Sequence, residues 1–115
     1  KLATHSNETG KITVIEKILP FKIKRIYFIH GISGDRGAHA HKKNKQAVLA
    51  INGSCKIVVK KNNYSKTFYL KDNKQLLILK PEDWHLIKNC SKDLILLVVA
   101  SQNYDPKDYI KDFKK

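Results

Sequence analysis

Apolar and polar positions alternate over short distances along most of the chain, with little of the 3.6-residue period of an amphipathic helix. Short runs of β-branched and aromatic residues recur between turn signals, which is typical of strands in an all-β domain. The predicted strands are residues 11–16, 23–30, 38–41, 46–52, 55–60, 66–70, 75–79, 84–88 and 94–100. So many short strands in 115 residues indicate a small barrel or sandwich.

Turn residues separate these strands. Asn52-Gly53 predicts a two-residue hairpin, because both central positions of a type I′ turn need positive φ. Asn62-Asn63 and Asp72-Asn73 are weaker signals of the same kind. Near the end of the chain, Asp105 is a candidate N-cap and Pro106 a first helical residue, so a short C-terminal helix is predicted.

Length and composition indicate one soluble domain over residues 1–115. No apolar run approaches the roughly 20 residues of a membrane helix, and the first residues lack the apolar block of a signal peptide, so a cytoplasmic location is expected. The chain has no methionine, even at its start, so we expect a trimmed or processed start with little structure lost. Cys55 and Cys90 have no metal-ligand spacing and are expected to be reduced thiols.

The formal net charge of +13 raises the possibility of nucleic-acid binding. However, the lysines are dispersed along the chain, and only two of the 23 basic residues are arginines. A dispersed lysine surface is usually only solvated, and a bias of the proteome toward Lys, Ile and Asn accounts for the charge. We therefore expect no nucleic-acid partner, although the charge would attract a small anionic substrate.

Two histidines stand one residue apart in the stretch "RGAHAHKKNKQ". Residues two apart in a strand point to the same face, so His39 and His41 project together. Gln46 follows His41 by five residues and Gly53 follows Gln46 by seven, a spacing that fits the first cupin motif. The segment "PEDWHLIKN" partly fits the second motif, with His85 one residue early. The resemblance implies the cupin double-stranded β-helix, a jelly-roll barrel.

Gln46 occupies the position at which metal-binding cupins carry an acidic ligand. A neutral amide is a poor substitute for a carboxylate beside two imidazoles, so no metal is expected. A three-histidine zinc site of His39, His41 and His85 is the remaining metal alternative. Without a metal, paired imidazoles are suited to proton transfer. Two purely structural histidines are the third possibility.

The strand predicted over residues 23–30 carries Arg25, Tyr27 and Ile29 on one face. A phenol can hydrogen-bond an enolate oxygen, and an arginine can bind phosphate bidentately. A core tyrosine and a salt-bridged arginine at the rim are equally compatible with this strand.

Four segments together resemble one group of cupins, the sugar 3,4-ketoisomerases of the WxcM-like group, which act on dTDP-4-keto-6-deoxyglucose. They are "PFKIKRIYFI", "RGAHAHKKNKQAVLAINGSCKIVV", "PEDWH" and "LLVVASQNYDPKDYIKDF". The resemblance implies a metal-independent isomerase that forms a dTDP-3-keto-6-deoxyhexose. It also implies a homodimer with an exchanged N-terminal strand and a downstream sugar aminotransferase that makes 3-amino sugars for surface glycans, such as the O-antigen of lipopolysaccharide.

The resemblance also implies roles for individual residues. His39, His41 and Tyr27 match catalytic positions, with His39 assigned as the carbon base. The implied substrate-binding residues are Arg36, Arg25, Gly10, Thr9, Lys42, Gln46 and His85. The family often reads D-x-R-G before its first strand, where this chain reads "NETG", with Thr9 in place of the arginine. This loop bears on the face of C4 that is protonated, and the galacto product is favoured.

The chemistry of a 4-keto sugar agrees with these residues. Its C3 proton is acidified by the neighbouring carbonyl, so a base can remove it to give a 3,4-enediolate, and reprotonation at C4 leaves the ketone at C3. Two alternatives remain open: a cupin 3,5-epimerase acting on the same substrate, and a sugar- or nucleotide-binding cupin without catalysis.

Overall fold

The computed structural model describes residues 2–71 and 75–110. Within these ranges the chain forms eleven β-strands and one 3-10 turn, and no α-helix. The strands are β1 (Ala3–Asn7), β2 (Gly10–Val14), β3 (Arg25–His30), β4 (Arg36–His41), β5 (Gln46–Asn52), β6 (Ser54–Lys61), β7 (Tyr64–Lys71), β8 (Leu77–Leu79), β9 (Trp84–Lys88), β10 (Ile95–Ala100) and β11 (Tyr109–Ile110). Nothing helical in the described ranges has the length and apolarity needed to cross a membrane.

Two antiparallel sheets form the body of the molecule. One has the strand order β3-β10-β5-β8 and the other β11-β4-β9-β6-β7. Inward side chains from both sheets meet in one core, with Leu96 and Ala50 from the first and Ile57 and Cys55 from the second, all fully buried. Two sheets packed around a shared core are the arrangement of a jelly roll, so the predicted all-β fold class is confirmed.

The strand bounds agree with the alternation of apolar residues, because that alternation selects the face of each strand that reaches the core. β5 and β9 match their predicted bounds, and the other predicted strands differ by one or two residues at one or both ends. β1 was missed, since its five residues are all exposed and carry no apolar alternation. It pairs only with β2 among the described strands, as a hairpin separate from both sheets.

Two turn predictions had different outcomes. Asn62-Asn63 does connect a hairpin, because Lys61 of β6 pairs with Tyr64 of β7 and Asn62 has a φ of 54°. The hairpin predicted at Asn52-Gly53 is wrong. β5 and β6 lie in different sheets, and the chain crosses between them at Gly53, which alone of the two residues has positive φ. Asp72-Asn73 lies outside the described residues.

The predicted C-terminal helix is not confirmed, because the described residues of this segment form only a 3-10 turn. Asp105 is an N-cap, and its side chain accepts a hydrogen bond from the backbone N–H of Lys107. However, the turn ends after Pro106–Asp108, and the chain becomes extended at Tyr109. Backbone pairing of Tyr109 with His41 holds the chain in this strand conformation. Tertiary pairing therefore overrides a local helix signal.

Candidate active site

The paired histidines lie on β4, which contains a bulge. The register with β9 shifts between Gly37 and His39, and Ala38 has the unusual φ of 61°. Gly37 has a φ of 101°, and a Cβ there would lie 3.3 Å from the carbonyl oxygen of His85. Bulges re-aim side chains near functional sites. After the bulge in β4, His39 and His41 lie on the same face of the strand, and Ala40 is buried on the opposite face.

Four rings from three strands meet on this face. His39 pairs with His85 of β9, and their ring centroids are 4.8 Å apart. The rings of His39 and His41 are 5.0 Å apart. Tyr109 of β11 lies 4.7 Å from the His39 ring and 4.6 Å from the His41 ring. His39, His41 and His85 each offer a ligand-capable nitrogen within 4.8 Å of the others, so the histidines form a compact cluster.

Asp108 fixes the orientation of His41. Its carboxylate lies 3.1 Å from the His41 Nδ1 and also accepts backbone N–H bonds from Lys43 and Asn44. Because a carboxylate only accepts, Nδ1 carries the hydrogen, and Nε2 is the basic nitrogen of the neutral ring. That Nε2 is buried and has no hydrogen-bond partner among the described residues. His41 thus presents an unshared lone pair.

Burial controls protonation in this cluster, because desolvation disfavours the imidazolium. It lowers the pKa of His39, which is half-buried. Burial and the neighbouring His39 lower the pKa of His41, although the Asp108 carboxylate opposes them. Burial and the neighbouring His39 lower the pKa of His85 to about 4. All three rings are therefore neutral at physiological pH and able to accept a proton.

Tyr27 and Gln46 form a hydrogen-bonded pair at the cavity wall. The buried Gln46 amide Nε2 donates to the Tyr27 hydroxyl at 2.8 Å, so the phenol hydrogen remains able to donate elsewhere. Burial raises the pKa of the Tyr27 phenol, and the Arg25 cation only partly offsets this. Tyr27 is therefore a protonated donor at neutral pH.

A cavity of about 670 Å³ joins these groups. It is lined by the two arginines and by Tyr27, His39, Gln46 and His85, among others. The Arg25 guanidinium lies 4.7 Å from the ring centroid of Tyr27 and 5.6 Å from that of Tyr104. Its Nε is buried without a partner in the described part of the chain. Arg36 lines the same cavity and is exposed, so the cavity has a cationic side suited to an anion.

Four of the sequence-predicted site residues do not line this cavity. His41 is only 4% exposed, and its ring contacts the cavity-lining rings of His39 and Tyr109. Lys42 is exposed, and its backbone N–H donates to the Asp108 carbonyl oxygen at 2.8 Å. Thr9 and Gly10 lie in the β1–β2 turn, where both backbone N–H groups donate to the Asn7 side chain. Their assigned roles in substrate binding remain predictions.

The comparisons with known proteins identify the family. The model of the family FdtA, described as WxcM-like, C-terminal, matches residues 1–115. The chain belongs to this family. The chain is also 37% identical over 108 residues to the TDP-4-oxo-6-deoxy-α-D-glucose-3,4-oxoisomerase of Aneurinibacillus thermoaerophilus, covering 90% of this chain and 78% of that protein. The resemblance to the sugar 3,4-ketoisomerases is thereby confirmed.

The comparison with solved structures also finds sugar 3,4-ketoisomerases. QdtA, a sugar 3,4-ketoisomerase from Thermoanaerobacterium thermosaccharolyticum in complex with TDP, superimposes with a TM-score of 0.92 at 37% identity, covering 98% of this chain and 85% of that one. Two Campylobacter jejuni enzymes are similar. WlaRA, a TDP-fucose-3,4-ketoisomerase, has a TM-score of 0.91 at 32% identity, with 98% and 87% covered. WlaRB, a TDP-quinovose 3,4-ketoisomerase, has a TM-score of 0.93 at 33% identity, with 97% and 89% covered. The chain is an isomerase of this group.

The epimerase alternative receives weaker support. The dTDP-6-deoxy-D-glucose-3,5-epimerase RmlC of Legionella pneumophila superimposes with a TM-score of 0.79 but only 13% identity, covering 94% of this chain and 68% of that one. Such a match shows that the two proteins share a fold. It does not extend to the activity.

The sequence patterns did not predict three residues of the candidate site, namely Tyr104, Asp108 and Tyr109. Tyr104 lies just before the predicted C-terminal helix, and Asp108 and Tyr109 lie within the segment predicted to be helical. Tyr104 and Tyr109 line the cavity, and Asp108 binds His41. The segment "ASQNYDPKDYIKDF" contributed to the family resemblance, but no spacing rule connects it to residues on β4. Only the β4–β11 pairing shows that connection.

Proposed function

We propose that this protein converts dTDP-4-keto-6-deoxyglucose to dTDP-3-keto-6-deoxyhexose without a metal. One observation carries the proposal: the neutral imidazole of His39 and the protonated phenol of Tyr27 line the same cavity, with His41 beside them. A base and an acid that face one substrate are the requirements of an enolisation. The proposal agrees with the names of the relatives.

His39 is the carbon base. It lines the cavity, is only half-buried, and has its pKa lowered by burial, so it is neutral before the reaction. It removes the C3 proton of the substrate, and the same proton, or one exchanged with solvent, is delivered to C4. A positioned base of this kind contributes about 10²- to 10⁴-fold to the rate.

Tyr27 and His41 manage the oxygen protons. The Tyr27 hydroxyl donates to O4 as negative charge develops there, because Gln46 occupies its acceptor side. His41 accepts the O3 proton at Nε2, and Asp108 stabilises the imidazolium that results. Hydrogen atoms balance, since C3 and O3 each lose one and C4 and O4 each gain one. His85 contributes a further neutral imidazole to the sugar pocket.

Arg25 and Arg36 bind the diphosphate. Both line the cavity, and arginine suits bidentate contacts with phosphate. The Arg25 guanidinium lies near the rings of both Tyr27 and Tyr104, and its buried Nε lacks a partner in the described residues. A guanidinium positioned in this way lowers the entropy lost when a phosphate oxygen binds.

The protein is proposed to be a homodimer with exchanged N-terminal hairpins. The β1–β2 hairpin stands apart from the two sheets, with Ile12 67% exposed. Edge strand β3 also exposes Ile26 and Phe28, each at 57%. Apolar residues clustered on an unpaired edge favour an interface. In such a dimer Thr9 and Gly10 would reach the partner's sugar site. Light scattering tests the mass, and Phe28→Lys should give monomers.

The free thiols Cys55 and Cys90 fit a reducing compartment, and we assign the enzyme to the cytoplasm, upstream of a sugar aminotransferase.

The configuration of the product at C4 remains a prediction, and the galacto configuration is favoured. Relatives named for TDP-fucose and TDP-quinovose are about equally similar, so identity does not decide it. The H4–H5 coupling in the product does, because H4 is equatorial in galacto and axial in gluco.

The deciding experiment follows the reaction by NMR in deuterated water. Purified protein and dTDP-4-keto-6-deoxyglucose should give a 3-keto product that carries deuterium at C4. Label at C3 and C5 with the ketone still at C4 would indicate the 3,5-epimerase instead. Tight dTDP binding without turnover or exchange would indicate a binding module, and either result would overturn the proposal.

A further inference from the structure

Each of the three clustered histidines has one ring nitrogen anchored. The His41 Nδ1 donates to the Asp108 carboxylate at 3.1 Å. The His85 Nδ1 lies 3.3 Å from the carbonyl oxygen of Asp83. His39 hydrogen-bonds the backbone of Gly37. An imidazole that donates one N–H to a carboxylate or a carbonyl has a lone pair with a fixed direction on its other nitrogen. Histidines that bind metals usually make this kind of hydrogen bond with the nitrogen that does not bind the metal.

The three imidazole rings bring one ring nitrogen each close together. The ligand-capable atoms of His39, His41 and His85 lie within 4.8 Å of one another. Zinc–nitrogen bonds are about 2.0–2.1 Å, which places tetrahedral neighbours roughly 3.4 Å apart. Small rotations of the three side chains would bring the nitrogens from their present separation to the distance that a bound zinc ion requires. The His41 Nε2 is already buried without a partner in the described residues, so binding a cation there requires no hydrogen bond to be broken.

We propose that the His39, His41 and His85 cluster binds one Zn²⁺ ion and that this ion inhibits the enzyme. Three imidazoles hold the ion, and water occupies a fourth position that opens to the cavity. The acidic ligand missing at Gln46 is not required, since three neutral imidazoles form a complete zinc ligand set. Asp108 acts as the outer carboxylate that strengthens His41 as a ligand.

Inhibition follows from the same lone pairs. A histidine whose free nitrogen is bound to Zn²⁺ cannot accept a substrate proton, and the ion occupies the place of the sugar. The binding claim stands independently of the proposed function, whereas the inhibition claim rests on it. The two claims therefore need separate readouts.

Binding is tested on chelator-treated, metal-free protein with Co²⁺ as a spectroscopic probe and Zn²⁺ as its competitor. We expect one equivalent of Co²⁺ with the intense visible bands of a tetrahedral site, displaced by one equivalent of Zn²⁺. His85→Asn should weaken Zn²⁺ binding at least about tenfold. His5→Asn is the matched control, because His5 is exposed on β1 and outside the cluster. It should bind Zn²⁺ like the wild type.

Two outcomes of this titration would overturn the site: no saturable binding, or equal binding by wild type and His85→Asn. Both can be read even if the protein has no isomerase activity. Once isomerase turnover has been measured, stoichiometric Zn²⁺ should abolish that turnover and excess chelator should restore it. Full turnover of the Zn²⁺-bound protein would refute the inhibition.

Discussion

Asp108 and His41 are 67 residues apart in the sequence, yet the carboxylate of one lies 3.1 Å from the Nδ1 of the other. This contact places the hydrogen of His41 on Nδ1 and its lone pair on Nε2. It also ties the C-terminal segment to the turn after β4, because the same carboxylate accepts backbone bonds from Lys43 and Asn44. The side chain of Asp108 thus both orients the His41 ring, which is proposed to be catalytic, and holds the C-terminal segment against the loop after β4.

Asp108→Asn should lower kcat by about 10²-fold, because an amide can donate to Nδ1 and so reverse the tautomer of His41. Asp105→Ala is the matched control. It removes the N-cap bond to Lys107 in the same turn without touching His41, and should keep kcat within about threefold of the wild type. Steady-state kinetics on both proteins measures the difference, and equal losses would show that the turn, rather than the carboxylate, matters.

His39→Asn and His41→Asn should each lower kcat by about 10²- to 10⁴-fold through loss of a positioned proton acceptor. Neither should unfold the protein, since His39 is only half-buried and the amide remains polar beside Asp108. Circular dichroism checks the fold and NMR measures turnover. Wild-type turnover by both variants would remove the histidines from the mechanism.

Gln46→Glu should lower kcat by about 10²-fold. A carboxylate at this position accepts the Tyr27 hydrogen instead of donating to the phenol oxygen, so Tyr27 no longer donates into the cavity. The double variant with Tyr27→Phe provides the check, because two changes that disable the same donor should not add. Fully additive losses would mean that Gln46 acts separately from Tyr27.

The Tyr27 phenol should titrate above its ordinary pKa of 10.0, because burial disfavours the phenolate more than Arg25 favours it. A raised pKa in the folded state means that the phenol stabilises the fold at neutral pH and that this contribution is lost as the pH rises past 10. The difference in ultraviolet absorbance between wild type and Tyr27→Phe across alkaline pH isolates this group. A midpoint below 10 would contradict the prediction.

Gly53→Ala should destabilise the protein by about 2–4 kcal/mol. Its φ of 73° disfavours a side chain, and a Cβ would lie 2.8 Å from the Leu94 Cα and 2.8 Å from the Asp93 Oδ1. Gly34→Ala is the control, because Gly34 has a φ of 85° but no atom within 4 Å of its Cβ position. It should cost only about 1 kcal/mol. Urea denaturation of the two variants distinguishes backbone strain from the clash.

The local alternation of apolar and polar residues was sufficient to predict most strands of the barrel. It located the strands β5 to β10, which carry nearly all of the buried core, and it placed His39 and His41 on one face. It failed at β1, where five exposed residues carry no pattern. It also failed at Asn52-Gly53, because a turn sequence does not state whether its strands pair with each other or with different sheets.

Part of the candidate site could likewise be predicted from local patterns, and the rest depends on contacts between distant segments. The H-x-H spacing, Tyr27 and the two arginines are local patterns on strands, and the cavity brings them together. Asp108 and Tyr109 could not be found in this way. Their roles depend on pairing between β4 and β11, and the local sequence "DPKD" favours a helical turn that the pairing then ends.

The position of the C-terminal segment in the chain has a consequence for shortened forms of the protein. Asp108 and Tyr109 follow every other residue of the histidine cluster in the chain. A chain that ended after β10 would keep every strand of the four-stranded sheet and four strands of the other sheet, but its His41 would have neither its carboxylate nor its aromatic neighbour. Such a truncation would therefore remove the groups that orient the histidine cluster while leaving the core strands in the chain.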